Sequence, residues 1–224
     1  MLDRRRARAR IKWRVIVSEN WHDSWRRFIK PRRVGKSFWV TPPWLTPAKF
    51  RSRQVITIEP GLAFGTGTHA TTRGCMEFLE SVAEALGDRE FTALDVGTGA
   101  GILAIAMVKL GAKQVWAIDN DAVALQVARQ NLRANEALKR VRLSGVQLGA
   151  IRRRFTVVVA NLTAETIVEL AAALEKKVAA KGFLILSGIL SQKADGIIGR
   201  FHEWFRLVRQ KRGREWATLL FERK

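Results

Sequence analysis

One cysteine, Cys75, stands in 224 residues. That excludes an intramolecular disulfide and any multi-cysteine zinc site, and it sets a reducing compartment, the cytoplasm, as the expectation. Cys75 itself reads as a small core residue. Tyrosine is absent and histidine occurs three times. His69 has no carboxylate or second histidine nearby at ligand spacing, so no metal is expected there, and a loop histidine with a backbone partner is its reading. No apolar run approaches the roughly 20 residues that cross a bilayer, so no membrane partner is expected. Acids are scarce, at 20 against 40 Lys and Arg, for a formal charge of +20. Residues 1–53 hold 16 of those bases against Asp3, Glu19 and Asp23, a net of +13. Such a segment attracts polyanions, and it fits a solvated charge run or an arginine-rich composition equally well. The chain is sufficient for one domain with a short appendage, since 47% of it is hydrophobic. No internal repeat is visible.

The informative stretch runs from Phe91 to Asp119. A short apolar run ends in Leu94-Asp95-Val96, and Gly97, Gly99 and Gly101 come next at alternate positions. An apolar helical segment begins at Ile102, and a second apolar run, Val115 to Ile118, stops at Asp119. This order of strand, glycine turn, helix, strand and acid opens a parallel α/β sheet with a nucleoside-type ligand at the carboxyl ends of its strands. Glycine reaches the backbone angles of the turn cheaply and lets the backbone approach a ligand. Asp119 stands 22 residues past Gly97, a spacing that suits an acceptor for ribose hydroxyls. An α/β core without a nucleotide is the plainer alternative. A dinucleotide site usually reads G-x-G-x-x-G, but here Ile102 occupies the third glycine's place. That favours a ligand without a pyrophosphate and resembles the first motif of class I methyltransferases, which bind S-adenosylmethionine.

In chain order, Met1 to Arg10 is a basic arm, and Ile11 to Val17 has strand-like content. Trp21, Trp25, Trp39 and Trp44 then alternate with Arg and Lys. Such a stretch can stack bases, but packing of a linker, with arginine stems over the indoles, is favoured. Pro42, Pro43 and Pro47 stiffen the connection to the next segment. Val55 to Glu59 is a predicted strand. The segment Pro60 to Thr72, PGLAFGTGTHATT, leads into a predicted helix from about Thr71 to Leu86. Further on, the predictions are a helix over residues 121–136 and strands over 141–143, 155–160 and 183–187. Helices are expected over 164–180 and 191–205, then a closing antiparallel pair over 205–208 and 215–221. The triple Arg152-Arg153-Arg154 reads as a solvated charge run.

Four motifs in this order, LAFGTGTHATT, DVGTGAGILAIAMVKLGA, AIDND and VVVANL, resemble the ribosomal protein L11 methyltransferase (PrmA) family. The family writes the first as DPGLAFGTGTHPTT, and this chain has Glu59 for the Asp and Ala70 for the Pro. The Trp21–Trp44 segment is similar to the family's tryptophan-rich linker. The resemblance implies a Rossmann-like class I methyltransferase fold: a seven-stranded, mostly parallel sheet with an antiparallel closing strand and helices on both faces. Residues 1–53 would be a basic, Trp-rich arm and linker, the remnant of a substrate-recognition domain, and 54–224 the methyltransferase domain. It implies S-adenosylmethionine as cofactor, contacted by Phe64, Gly65, Thr66, Thr72, Gly97, Gly99, Asp119 and Asn161. Adenine would be read by backbone groups or Gln147, because no acid follows the strand at 141–143.

Asn161 ends the strand at 155–160, where many planar-nitrogen methyltransferases carry N-P-P-Y. This chain has Asn161-Leu162-Thr163-Ala164, and with no tyrosine at all an aromatic clamp is disfavoured and an amine acceptor expected. Asn161 would position that acceptor, or cap the following helix, while Phe64 and Leu162 line the channel. The implied substrate is a ribosomal protein, within an RNA-containing particle if the basic arm binds nucleic acid, and a monomer is expected. The alternatives are an rRNA or other nucleic-acid methyltransferase and a non-catalytic ribosome-associated module.

Overall fold

The structure, a computed structural model, describes residues 29–45, 53–60, 67 and 69–224. The basic arm, the strand predicted at 11–17, Trp21, Trp25 and most of the glycine-threonine segment lie outside the described residues. The chain from Pro31 onward forms one compact unit.

Short apolar runs in the middle of the chain become a sheet covered on both faces, which is why they read as continuous rather than alternating. The strands are β4 (Thr92–Val96), β5 (Gln114–Ile118), β6 (Val141–Ser144), β7 (Phe155–Asn161), β8 (Val178–Leu190), β9 (Phe205–Arg212) and β10 (Trp216–Arg223). Their order across the sheet is β6-β5-β4-β7-β8-β10-β9. Strands β4 to β8 pair in parallel, and β10 runs antiparallel to both β8 and β9. This is the expected seven-stranded sheet with one reversed strand.

Successive residues point to opposite faces. Ala93, Val115, Ala117, Val157 and Val159 meet helices α1 (Ala70–Leu86), α2 (Ile102–Lys109) and α3 (Ala122–Ala134). Leu94, Val96, Ile118, Val158 and Ala160 meet α4 (Ala164–Glu169), α5 (Ala171–Lys177) and α6 (Ala194–Phe201). Two apolar cores result, one on each face.

A second, three-stranded sheet precedes α1: β1 (Arg32–Val34), β2 (Phe38–Thr41) and β3 (Gln54–Thr57). Its hairpin turns at Gly35, which holds φ +56°. The buried carboxylate of Glu80 on α1 accepts the amides of Lys36 and Ser37, both at 2.8 Å. Val34, Phe38 and Ile56 join the core on that face. Arg33 lies over the Trp39 ring, 5.6 Å from its centroid, so at this pair arginine packs on the indole as expected.

Three predicted boundaries differ. The helix expected over 164–180 is two helices, α4 and α5, and β8 begins at Val178. The composition of Glu175 to Ala180 suits a helix, but Val178 pairs with Phe155 of β7, and that tertiary pairing prevails. The helix expected over 191–205 shortens to α6 behind a 3-10 turn at Ser191–Lys193. Strand β9 continues to Arg212 because Ala217 of β10 pairs with it there.

Candidate functional site

The chain leaves β4 toward β5 on one side, and β7 joins β4 on the other. The crevice outside the carboxyl ends of these strands is the switch point where open α/β sheets take ligands. Gly97, Gly99 and Gly101 all hold positive φ (+74°, +52° and +84°), so the turn there needs residues without a Cβ. The Gly97 and Thr98 amides donate to the Ile118 carbonyl at 2.9 and 3.0 Å, fastening the turn to the end of β5. Asp119 closes the arrangement. Its Oδ2 accepts the Gly99 amide at 2.9 Å and its Oδ1 the Asp121 amide at 3.0 Å.

Leu162, just past β7, is wedged between two glycines. A Cβ on Gly97 would lie 2.5 Å from Leu162 Cδ2, and one on Gly188 would lie 2.3 Å from the Leu162 carbonyl oxygen. Gly188 holds φ +81° within β8. Two cavities meet at Gly97, Asp119, Asn120, Leu162 and Thr166. The larger, about 600 Å³, extends to His69, Thr71, Asn161, Gly188 and Trp216. The smaller, about 310 Å³, extends between Ile118 and the segment Val146-Gln147-Leu148.

His69 is the N-cap of α1. Its Nδ1 lies 2.7 Å from Thr71 Oγ1, and its ring stands edge-on to Trp216 at 5.1 Å. Among the predicted site residues, Gly97, Gly99, Asp119 and Asn161 line the larger cavity together. Thr72 is fully buried, its hydroxyl unpartnered among the described residues, and its neighbour Thr71 lines the cavity. Phe64, Gly65 and Thr66 lie outside the described residues. Gly67 is buried, and a Cβ there would come within 2.9 Å of Ile102 at the start of α2.

The Oδ1 of Asn161 is buried and has no partner among the described residues. Its alternative reading as the cap of the next helix is corrected, because Thr163 is the N-cap of α4 and accepts the Thr166 amide. A buried acceptor left without a donor is costly, and none of the described residues supplies one.

Sequence reasoning passed over Asp95, Gly188 and Trp216. Asp95 lies under the glycine turn with no exposure. Thr98 donates its hydroxyl to Oδ2 at 2.7 Å, and Oδ1 has no partner among the described residues. Burial pushes its carboxyl up to about 7, the nearby Asp119 adding to the rise and the Thr98 bond opposing it. An ionisable residue inside an apolar strand was the signal for Asp95. Gly188 reaches the crevice through the pairing of β8 with β7, and Trp216 through the pairing of β10 with β8.

The family model described as "Ribosomal protein L11 methyltransferase (PrmA)" matches residues 2–224. A ribosomal protein L11 methyltransferase of Geotalea uraniireducens is 40% identical over 216 residues, covering 92% of this chain and 69% of that protein. The one of Geobacter sulfurreducens is 43% identical over 208 residues, covering 92% and 67%. The crystal structure of a ribosomal protein L11 methylase from Lactobacillus delbrueckii subsp. bulgaricus superposes with a TM-score of 0.77 at 32% identity, over 88% of this chain and 100% of that one. The N-methyltransferase NodS of Bradyrhizobium japonicum, in complex with S-adenosyl-l-homocysteine, shares the fold at a TM-score of 0.55 and 15% identity, over 70% and 89%. With a match along almost its whole length, the chain belongs to the ribosomal protein L11 methyltransferase (PrmA) family.

Proposed function

We propose that this chain uses S-adenosylmethionine to N-methylate lysine-type amino groups of ribosomal protein L11, in the cytoplasm. The observation that carries this reading is the Asp119 carboxylate, fixed by two backbone amides where the two cavities meet. The residues present fit the cofactor. Asp119 is an acceptor for ribose hydroxyls, and the bare backbone of Gly97 and Gly99 admits close approach. The smaller cavity suits the adenine base, with Ile118, Val146 and Leu148 as apolar walls and Gln147 as a polar partner. By family resemblance alone, Thr72, Phe64, Gly65 and Thr66 complete the set. The cofactor, when bound, supplies an electrophilic methyl group on its sulfonium sulfur.

The task of the chain's own residues is alignment. Transfer needs donor, methyl and acceptor nitrogen in line, and holding them so replaces much conventional catalysis. Asn161 Oδ1 accepts an N–H of the incoming amine and aims its lone pair, while Leu162 fixes the wall between Gly97 and Gly188. A lysine amine has a reference pKa of about 10.4, and a partly apolar channel favours its neutral form. No general base is assigned. We also infer that the working unit is a monomer and that the methyltransferase domain begins at Pro31 rather than at the expected residue 54, because β1 and β2 share a sheet with β3 and pack on α1. The basic arm would hold the substrate within an RNA-containing particle.

The test is transfer of a radiolabelled methyl group from S-adenosylmethionine into ribosomal particles and into free L11, followed by protease or nuclease digestion. Label released by protease and retained through nuclease supports the reading. Label in RNA, or none in L11, overturns it.

A further inference from the structure

Beside the crevice, and sharing its Trp216 wall, lies a separate cavity of about 380 Å³ lined by Arg33, Gly35, Arg73, Glu77 and Lys211 among others. Its charges do not balance. Glu77 forms an ion pair with Lys211, which leaves Arg33 and Arg73 uncompensated among the described residues. Arg33 rests on the Trp39 ring and has no acid partner there. Arg73 is half-buried, and its guanidinium forms no ion pair or hydrogen bond with the described residues. It stands in the first turn of α1, a turn without any acidic residue, and there the helix dipole disfavours a cation. A half-buried guanidinium that is opposed by its own helix and unpaired is suited to an anion from outside, and its planar fork matches a carboxylate.

We propose that this cavity binds a carboxylate side chain of the protein substrate, close in sequence to the amine that enters the crevice. The assignment rests on the crevice being the methyl-transfer site. The common Trp216 wall puts both groups within reach of one extended segment, which advances roughly 3.3 Å per residue. The acidic group would add binding energy remote from the reacting atoms and so select which amine is presented. Arg73 and Arg33 are then specificity residues and take no part in the transfer itself.

Two fluorescent peptides test this, identical except for Glu or Gln two residues from a single lysine. Each is titrated by anisotropy against the full chain saturated with S-adenosylhomocysteine. The Glu peptide should bind roughly fivefold tighter, the factor expected of about 1 kcal/mol at a part-exposed ion pair. Arg73→Gln should bring the two peptides level, Arg73→Lys should keep part of the preference, and thermal melts should show each variant folded. Inorganic phosphate should weaken the Glu peptide alone. Equal binding of the two peptides by the wild type overturns the proposal. So does a preference that survives both Arg73→Gln and Arg33→Gln. Displacement of the Glu peptide by a short RNA at lower concentration than by phosphate would assign the cavity to nucleic acid and also overturn it. Calorimetry with S-adenosylmethionine alone is read separately: absence of cofactor binding is a failure of the methyltransferase reading, whichever peptide is preferred.

Discussion

Asp119 holds its own turn and lines the crevice at the same time. Asp119→Ala should weaken S-adenosylmethionine binding by about 1.5–3 kcal/mol, the range for hydrogen bonds to charged groups, as measured by calorimetry on a variant shown to be folded. Unchanged affinity would remove Asp119 from the site. Asn161 and Thr163 separate positioning from capping. Asn161→Ala should lower the single-turnover rate per folded molecule with little change in melting temperature. Thr163→Ala should cost about 0.5–2 kcal/mol of stability through loss of the cap, a fall in melting temperature that Asn161→Ala should not show. Asp95 adds a pH dependence. Its carboxyl is raised in the folded state from the ordinary 3.8 to about 7, so the unfolded chain gives up this proton first as pH rises. Stability from this group is therefore full below about pH 4 and declines until about pH 7. Asp95→Asn should remove that decline, so the melting temperature of the variant minus that of the wild type should climb between those values and level off above. Asp119 was legible in the sequence because its relation to the glycines is local, a fixed spacing along one strand-turn-helix-strand unit. Trp216 was not, because nothing near it in the chain records that β8 will be its neighbour.

At the scale of elements, the small sheet packs Val34, Phe38 and Ile56 into the core beside α1, and the Glu80 carboxylate fastens its turn. Glu80 accepts two amides of the β1–β2 turn while buried, and Gly35 has no Cβ that would strike it. Glu80→Ala leaves two donors short of a partner and should cost about 1–3 kcal/mol in urea unfolding. Proteolysis should then cut first between Val34 and Phe38. The order of strands and helices followed from apolar runs and glycine punctuation, which depend on each segment alone. The boundary at Val178 did not, since Lys176, Lys177 and Ala179 suit a helix and the pairing of Val178 with Phe155 decides the matter. Similarly, Asn161 has the residue type of a cap, yet Thr163 stands one position before the helix and takes that role.

At the scale of the whole molecule, the charge of +20 is the dominant property. If Arg4, Arg5, Arg6, Arg8 and Arg10 contact phosphates, affinity for an RNA-containing particle should fall with salt at a logarithmic slope of about −0.7 to −0.9 per contact. Deleting residues 1–10 should flatten that slope and leave cofactor affinity unchanged. An unaltered slope would make the arginines a solvated tail. The β9 edge uses its charge differently, with Arg206, Lys211 and Arg212 engaged by Glu222, Glu77 and Asp195. Charged side chains on an edge strand discourage pairing with a second chain. The place of β10 bears on how the molecule is made. It is inserted between β8 and β9, both of which leave the ribosome before it, and it brings Trp216 to the crevice. Until β10 arrives, the emerging chain presents the open edge of β8 with its backbone groups unmatched, and the crevice lacks a wall. A nascent chain halted before Trp216 should therefore engage holding chaperones and be silent as a catalyst, and both conditions should end together when that strand slots into the gap.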